Sequence, residues 1–150
     1  MAFTGNFVCT SFKTDLLGGK HNFTSTTGNA FKMALYTNTA TLDATTAAYT
    51  ASGEHGATGT YTATGKALVL ETSPAHPRVP SGVTAVADFQ DLTWATSTIN
   101  AYGALIYNDT QAGKNSVVVL DFLGLKASSS GDFVVQFPVA DATNAIIRIA

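Results

Sequence analysis

The side chains in this chain that could do chemistry are few and far apart. They are His21, His55 and His76, the single Cys9, the only two glutamates (Glu54 and Glu71), and scattered aspartates such as Asp88, Asp91, Asp109 and Asp121. No two histidines stand at a metal spacing such as His-x-x-x-His, and one cysteine supplies no second soft ligand, so no metal site is expected. Glu54 and His55 lie side by side in a Gly-rich stretch, SGEHGATG. Neighbours on an extended backbone point to opposite sides, so they are a poor general-base pair and a solvated loop is the favoured reading. No Gly-x-Ser-x-Gly elbow occurs, and no Gly-rich phosphate loop leads into Lys-Ser or Lys-Thr. The four aspartates could act as paired carboxylates or hold calcium only if strand ends converged; outward faces and turn bonds are favoured. Tyr102, Tyr107 and Trp94 could form a sugar-binding platform, but amphipathic aromatics at strand ends more often rim a core. Asn22-Phe23-Thr24 and Asn108-Asp109-Thr110 match the glycosylation sequon and read as chance. The chain is expected not to be an enzyme and to need no cofactor.

The elements around these residues read as strands. Residues 98 to 150 run TINAYGALIYNDT, NSVVVLDFLG, GDFVVQFPV and NAIIRIA, separated by Asn, Asp, Ser and Gly clusters. Those residues favour turns by accepting positive φ or bonding their own backbone, which predicts a four-strand antiparallel meander. Upstream, Phe31 to Tyr36, a short piece at Thr60-Tyr61-Thr62, Lys66 to Thr72 and Val83 to Phe89 read as further strands. In the last of these, Val83, Ala85, Ala87 and Phe89 share one face. Thr37 to Gly65 reads as a long excursion. Ser73 to Gly82 carries Pro74, Pro77 and Pro80, which removes ladder donors and makes it an extended loop. One helix is predicted from Asn6 to Gly19, with Asn6 as its cap, Gly18-Gly19 as its stop, and Phe7, Phe12, Leu16 and Leu17 on one face. The predicted fold is all-β: an antiparallel β-sandwich or jelly-roll-like barrel of about eight strands with one short N-terminal helix. A single domain spans 1–150, with an arm over 1–20 and a β body over 21–150.

At 150 residues the chain can bury roughly 70% of its unfolded surface without a staple. A lone Cys9 forms no internal disulfide, and a reducing site of synthesis follows. The start, MAFTGNFVCTSFK, lacks a basic region followed by an apolar core, so no leader is expected. No apolar run approaches the length of a membrane span. Only 12% of residues are charged, about half the usual share. A free protein usually stays soluble through a mixed charged surface. A surface of Thr, Ala and Gly suits a protein packed against neighbours instead. The net charge of −2 gives no basic footprint for nucleic acid.

Several segments together resemble a known family. They are Phe12-Lys13 with Leu16-Leu17-Gly18, Phe31-Lys32-Met33-Ala34-Leu35-Tyr36-Thr37 and Asp91-Leu92-Thr93-Trp94. Further on come Ala101-Tyr102-Gly103-Ala104-Leu105-Ile106-Tyr107-Asn108-Asp109, Leu120-Asp121-Phe122 and Gly131-Asp132-Phe133. The layout is similar to that of small structural virion proteins of tailed bacteriophages. The resemblance implies a capsid decoration, or cement, protein made in the host cytoplasm and placed on the capsid exterior. Its partners would be the major capsid protein and itself, as a homo-oligomer and possibly a trimer, with no direct nucleic acid and no membrane. A tail or head–tail adaptor or receptor-binding component is the alternative, and a β-sandwich carbohydrate-binding module a third reading. The partner-contact candidates are Phe3, Phe7 and Phe12 on the arm, with packing on their own sheet as the competing reading. His76 and Arg78 on the proline-stiffened loop complete the set.

Overall fold

The computed structural model describes residues 3–150. Its largest feature is a single two-stranded ribbon. Strands β5 (Leu92–Ser97) and β6 (Asn100–Asn108) form one side, and β7 (Ser116–Ala127) and β8 (Gly131–Val135) form the other. Pairing runs from Tyr107 opposite Ser116, through Asn100 opposite Ala127, to Leu92 opposite Val135. At the junction Ile99 and Ser128 exchange backbone N–H···O bonds of 3.2 and 2.9 Å. Thr96 and Ser130 take left-handed φ values of 49° and 50° there, and the ribbon bends, so its two halves lie in different sheets. A second irregularity sits in β7, where residues 122 to 125 bulge opposite Tyr102, with Leu123 at φ 57°. Such extra residues bend and twist the strand that carries them.

The remaining strands attach to this ribbon. β1 (Phe7–Val8), β2 (Phe31–Tyr36) and β3 (Lys66–Leu68) complete a five-stranded antiparallel sheet in the order β1-β7-β6-β2-β3. β4 (Ala85–Ala87) pairs with β9 (Ile147–Ile149) as a separate ribbon, and β5–β8 is the third sheet. β6 is buried from Gly103 to Asn108 on both faces, which is why ALIY is a continuous apolar run instead of an alternating one. Gly103 interrupts this central strand for a visible reason. A Cβ there would stand 2.4 Å from the Phe3 ring and 2.4 Å from the Leu120 carbonyl oxygen. The Phe3 side chain occupies the space that a larger residue would fill.

The all-β, antiparallel expectation with one short helix holds, and among the described residues no sheet closes into a barrel. Other expectations need correction. The C-terminal meander does not form: β6 and β7 are neighbours, but β8 returns to β5 and β9 to β4. The helix, α1, spans only Thr10–Leu17, and Cys9 takes the cap position without a side-chain bond. Phe7–Val8 pair with Val119 and Val118, and the Asn6 side chain accepts the Asp121 N–H at 2.7 Å, so the edge of β7 claims residues the helical pattern included. The Gly18-Gly19 stop is correct. Gly19, at φ 72°, sends its N–H to Leu16, and Lys20 N–H reaches Asp15, the double bond of a Schellman end. Leu17 is 91% exposed and off the predicted face. The piece at Thr60-Tyr61-Thr62 is a tight turn bridged Thr58 to Tyr61. β3 and β4 are shorter than expected, and Val83, 87% exposed, leaves the face it was assigned. We expect Gly103→Ala to lower stability by about 2–3 kcal/mol, because Phe3 and the β7 backbone must both shift. Urea unfolding followed by fluorescence of the buried Trp94 measures this.

Candidate functional site

The arm candidates turn inward. Phe3 and Phe12 are buried in the main core, and Phe7 is half-buried against it. Phe12 lies 5.0 Å from the His21 ring and 6.0 Å from that of Phe23. These side chains serve this chain's own packing, so Phe3 and Phe12 are not free to dock a partner. The aromatic platform is absent for the same reason: Trp94 and Tyr107 are fully buried. The aspartates stay apart, each tied locally. Asp91 accepts the Phe137 N–H, Asp121 accepts the Leu123 N–H, and Asp109 binds Lys32 and Lys114, whose hydrogen bonds hold its carboxyl below the usual range. Among the described residues, no three His, Cys, Asp or Glu gather as a metal site.

His76 and Arg78 border a cavity of about 300 Å³ together with Glu71, Ser73, Asp88 and Pro138. His76 is buried, and its Nδ1 donates to the Glu71 carbonyl at 3.2 Å while Nε2 finds no partner. Its backbone N–H donates to Ser25 Oγ at 2.6 Å. Arg78 donates to the Ala140 carbonyl at 2.6 Å and pairs its backbone with Val86. Asp88 is buried beside them, and burial pushes its carboxyl pKa up against the pull of the Phe89 and Ile146 N–H groups it accepts. The loop is therefore stitched to the body by its polar atoms. An apolar groove of about 510 Å³ lies nearby between α1 and the β4–β9 ribbon, lined by Leu16, His21, Phe23, Val86 and Ile147.

Two polar clusters went unread in the sequence. In the first, Glu54 accepts hydrogen bonds from Tyr49 and, at 2.9 Å, from Tyr61. Tyr61 is buried and its hydroxyl also accepts the Leu35 N–H at 2.9 Å. Tyr36 donates to the Thr50 carbonyl at 2.6 Å, and Tyr107 to Thr64 at 2.7 Å. Four tyrosines and one glutamate thus pin the Thr-rich excursion, residues 37 to 65, onto β2 and β6. Burial first, and the negative charge of Glu54 second, lift the Tyr36 phenol well above its usual range. Tyr49 and Tyr61 are likewise raised, and burial pushes Tyr107 up to about 12. His55 accepts the Asn100 N–H at 3.0 Å, so the solvated-loop reading of Glu54-His55 does not hold: both side chains are half-buried and hydrogen-bonded to other segments. The legible signal was two tyrosines flanking a rare glutamate inside a polar stretch.

The second cluster centres on the buried Asn108 of β6. Its amide nitrogen lies 3.1 Å from the Lys20 carbonyl, 2.9 Å from Asn29 Oδ1 and 3.1 Å from His21 Nδ1, while its oxygen accepts the Thr110 N–H. Asp15 on α1 binds Lys20 at 2.7 Å and Asn115 at 2.6 Å. These bonds hold the helix and the segment after it on the sheet. Neither cluster places a nucleophile beside a base at an open site. Comparison with protein-family models, with curated proteins and with solved structures finds no match.

Tyr61→Phe strands both the Leu35 N–H and one Glu54 oxygen, so we expect it to cost about 2–3 kcal/mol, against under about 1 kcal/mol for the part-exposed Tyr49→Phe. Equilibrium urea unfolding of the two variants tests the difference. The raised phenol pKa values also set an alkaline limit. Above about pH 10 the unfolded chain loses tyrosine protons that the folded one keeps, so stability is full below that pH and falls as pH rises further. Phenolate absorbance from these four side chains should emerge together with unfolding; ionisation of all four in the folded state would refute the assignment.

Proposed function

We propose that this chain is a structural component of a phage virion, and specifically a capsid decoration protein seated on the outside of the assembled head. The observation that carries this reading is a surface poor in charge, with 12% charged residues in the chain, that leaves large apolar side chains in solvent. Leu123 at the crest of the β7 bulge is 86% exposed, and Leu125 and Val134 border one shared hollow of about 480 Å³. A protein that works free in solution covers such groups with mixed charge. The family resemblance of the β6 and β7 segments supports the same reading. The partner is the major capsid protein, and a homo-oligomer on the shell is the form proposed.

The mechanism is linkage. A protein that binds assembled shell and not loose subunits stabilises the shell by an amount that grows as the logarithm of one plus its free concentration over its dissociation constant, and many modest interfaces add together. The bent ribbon supplies the rigid body this requires. Quantitative mass spectrometry of purified virions tests the reading through copy number. Copies on the order of hundreds per particle are expected for a symmetric shell, whereas a few dozen or fewer would assign the chain to the tail or adaptor.

A further inference from the structure

We propose that His21 is an acid-sensitive latch that holds the segment from Cys9 to Asn29 on β6, engaged while the imidazole is neutral and released when it takes a proton. The inference is independent of the virion reading. His21 is 6% exposed, and its Nδ1 lies 3.1 Å from the Asn108 amide nitrogen. An amide nitrogen can only donate, so the Nδ1 facing it carries no proton and Nε2 holds the single ring proton, although Nδ1 competes with Lys20 and Asn29 for the two amide hydrogens. That Nε2–H has no hydrogen-bond partner and stands 4.0 Å from Asp15 Oδ2.

Protonation would put a second N–H at Nδ1, directly facing the Asn108 donors. Asn108 cannot turn over to help, because its oxygen holds the Thr110 N–H and its nitrogen serves Lys20 and Asn29. The His21 contact with β6 therefore becomes repulsive and works against the Lys20 and Asn29 bonds made by the same amide. The ionisable groups facing His21 are Asp15 from α1, which favours the cation, and Lys20 beside it, which opposes it. β2 presents Phe31, stacked on the ring at 6.4 Å, and the segment before β2 presents Phe23, tilted against it at 6.3 Å; neither is ionisable. Burial among these rings outweighs the Asp15 attraction and lowers the His21 pKa. The unfolded or released segment thus binds the proton more readily. Docking is fully stable above the ordinary histidine pKa and weakens as pH falls below it.

Cys9, the only cysteine and the residue that caps α1, is buried and reports release. The experiment measures its labelling by a disulfide reagent, normalised at each pH to the same reaction with the denatured chain. Amide exchange of β2 and β6 is followed in parallel. One linked proton predicts that labelling accelerates about tenfold per pH unit below about pH 6.5, while the β2 and β6 amides keep their protection. Asp15, whose carboxyl the Lys20 hydrogen bond holds below its usual range, remains ionised through this window. His21→Phe leaves Asn108 two acceptors for its two hydrogens and fills the aromatic cluster, so its labelling should be flat with pH. Replacing His76, the other buried histidine, with Gln should leave the acid response intact. The proposal fails if the response survives His21→Phe, disappears with His76→Gln, or is accompanied by loss of β6 protection. Nitrogen chemical shifts of His21 in the unaltered protein give a test that needs no variant. They should show the Nε2–H form at neutral pH and a titration below the ordinary histidine range, with Cys9 labelling rising above that point and levelling off through it; titration with no preceding rise in labelling would overturn the latch.

Discussion

The continuous pairing of residues 92–108 with residues 116–135 is the constraint on which the rest of the structure depends. One ribbon supplies both the centre of the five-stranded sheet and the whole of the β5–β8 sheet. Its bend at Ile99 and Ser128 turns one hairpin into two walls of a common core, in which Trp94 and Phe133 of one half meet Tyr61 and Phe122. Everything else is added to its edges or laid over its faces. β2 extends it on one side, and two residues of β1 close part of the other.

Polar side chains then fix the parts that carry no regular structure. The excursion from Thr37 to Gly65 has almost no ladder of its own, and a chain of that kind loses conformational entropy without backbone pairing in return. The Glu54 carboxyl, held between Tyr49 and Tyr61, supplies the missing attachment. Asn108 does the same for the segment after α1, and Ser25 with His76 for the proline loop. Each node is a buried or half-buried group with several partners, so losing one member leaves others unpaired in a poorly solvating interior.

This arrangement explains how a chain with so few charged residues keeps a unique fold. Much of its polar specificity sits in hydroxyls and amides, which hydrogen-bond in fixed geometry at a lower desolvation cost than ions, with the Glu54 and Asp15 carboxyls as the charged members of the two clusters. The ion pairs that do occur are local, joining Asp109 to Lys32 and Lys114 and Asp15 to Lys20. The apolar crest at Leu123 and the hollow beside it are left uncovered on the same ribbon.

Local pattern was enough to establish the class of fold. β-branched and aromatic runs bounded by Asn, Asp, Ser and Gly named β2, β6 and β7, and Gly18-Gly19 ended the helix, because turn and strand preferences act within a few residues. Partnership was beyond its reach. β8 pairs with β5 and not with β7, and β9 with β4, since register is decided by burial across the molecule and every strand offers the same backbone groups. Phe7 left the helix for the same reason: an open edge on β7 outweighed a weak local preference. The absence of a clustered catalytic spacing was visible in the sequence, whereas the tyrosine–Glu54 clamp and the Asn108–His21 contact join residues brought together only by the folded sheet. Sequence alone thus determined which pieces are strands and how little charge they carry, and tertiary structure decided which polar side chains meet, because hydrogen bonding between distant residues depends on a geometry that no local spacing encodes.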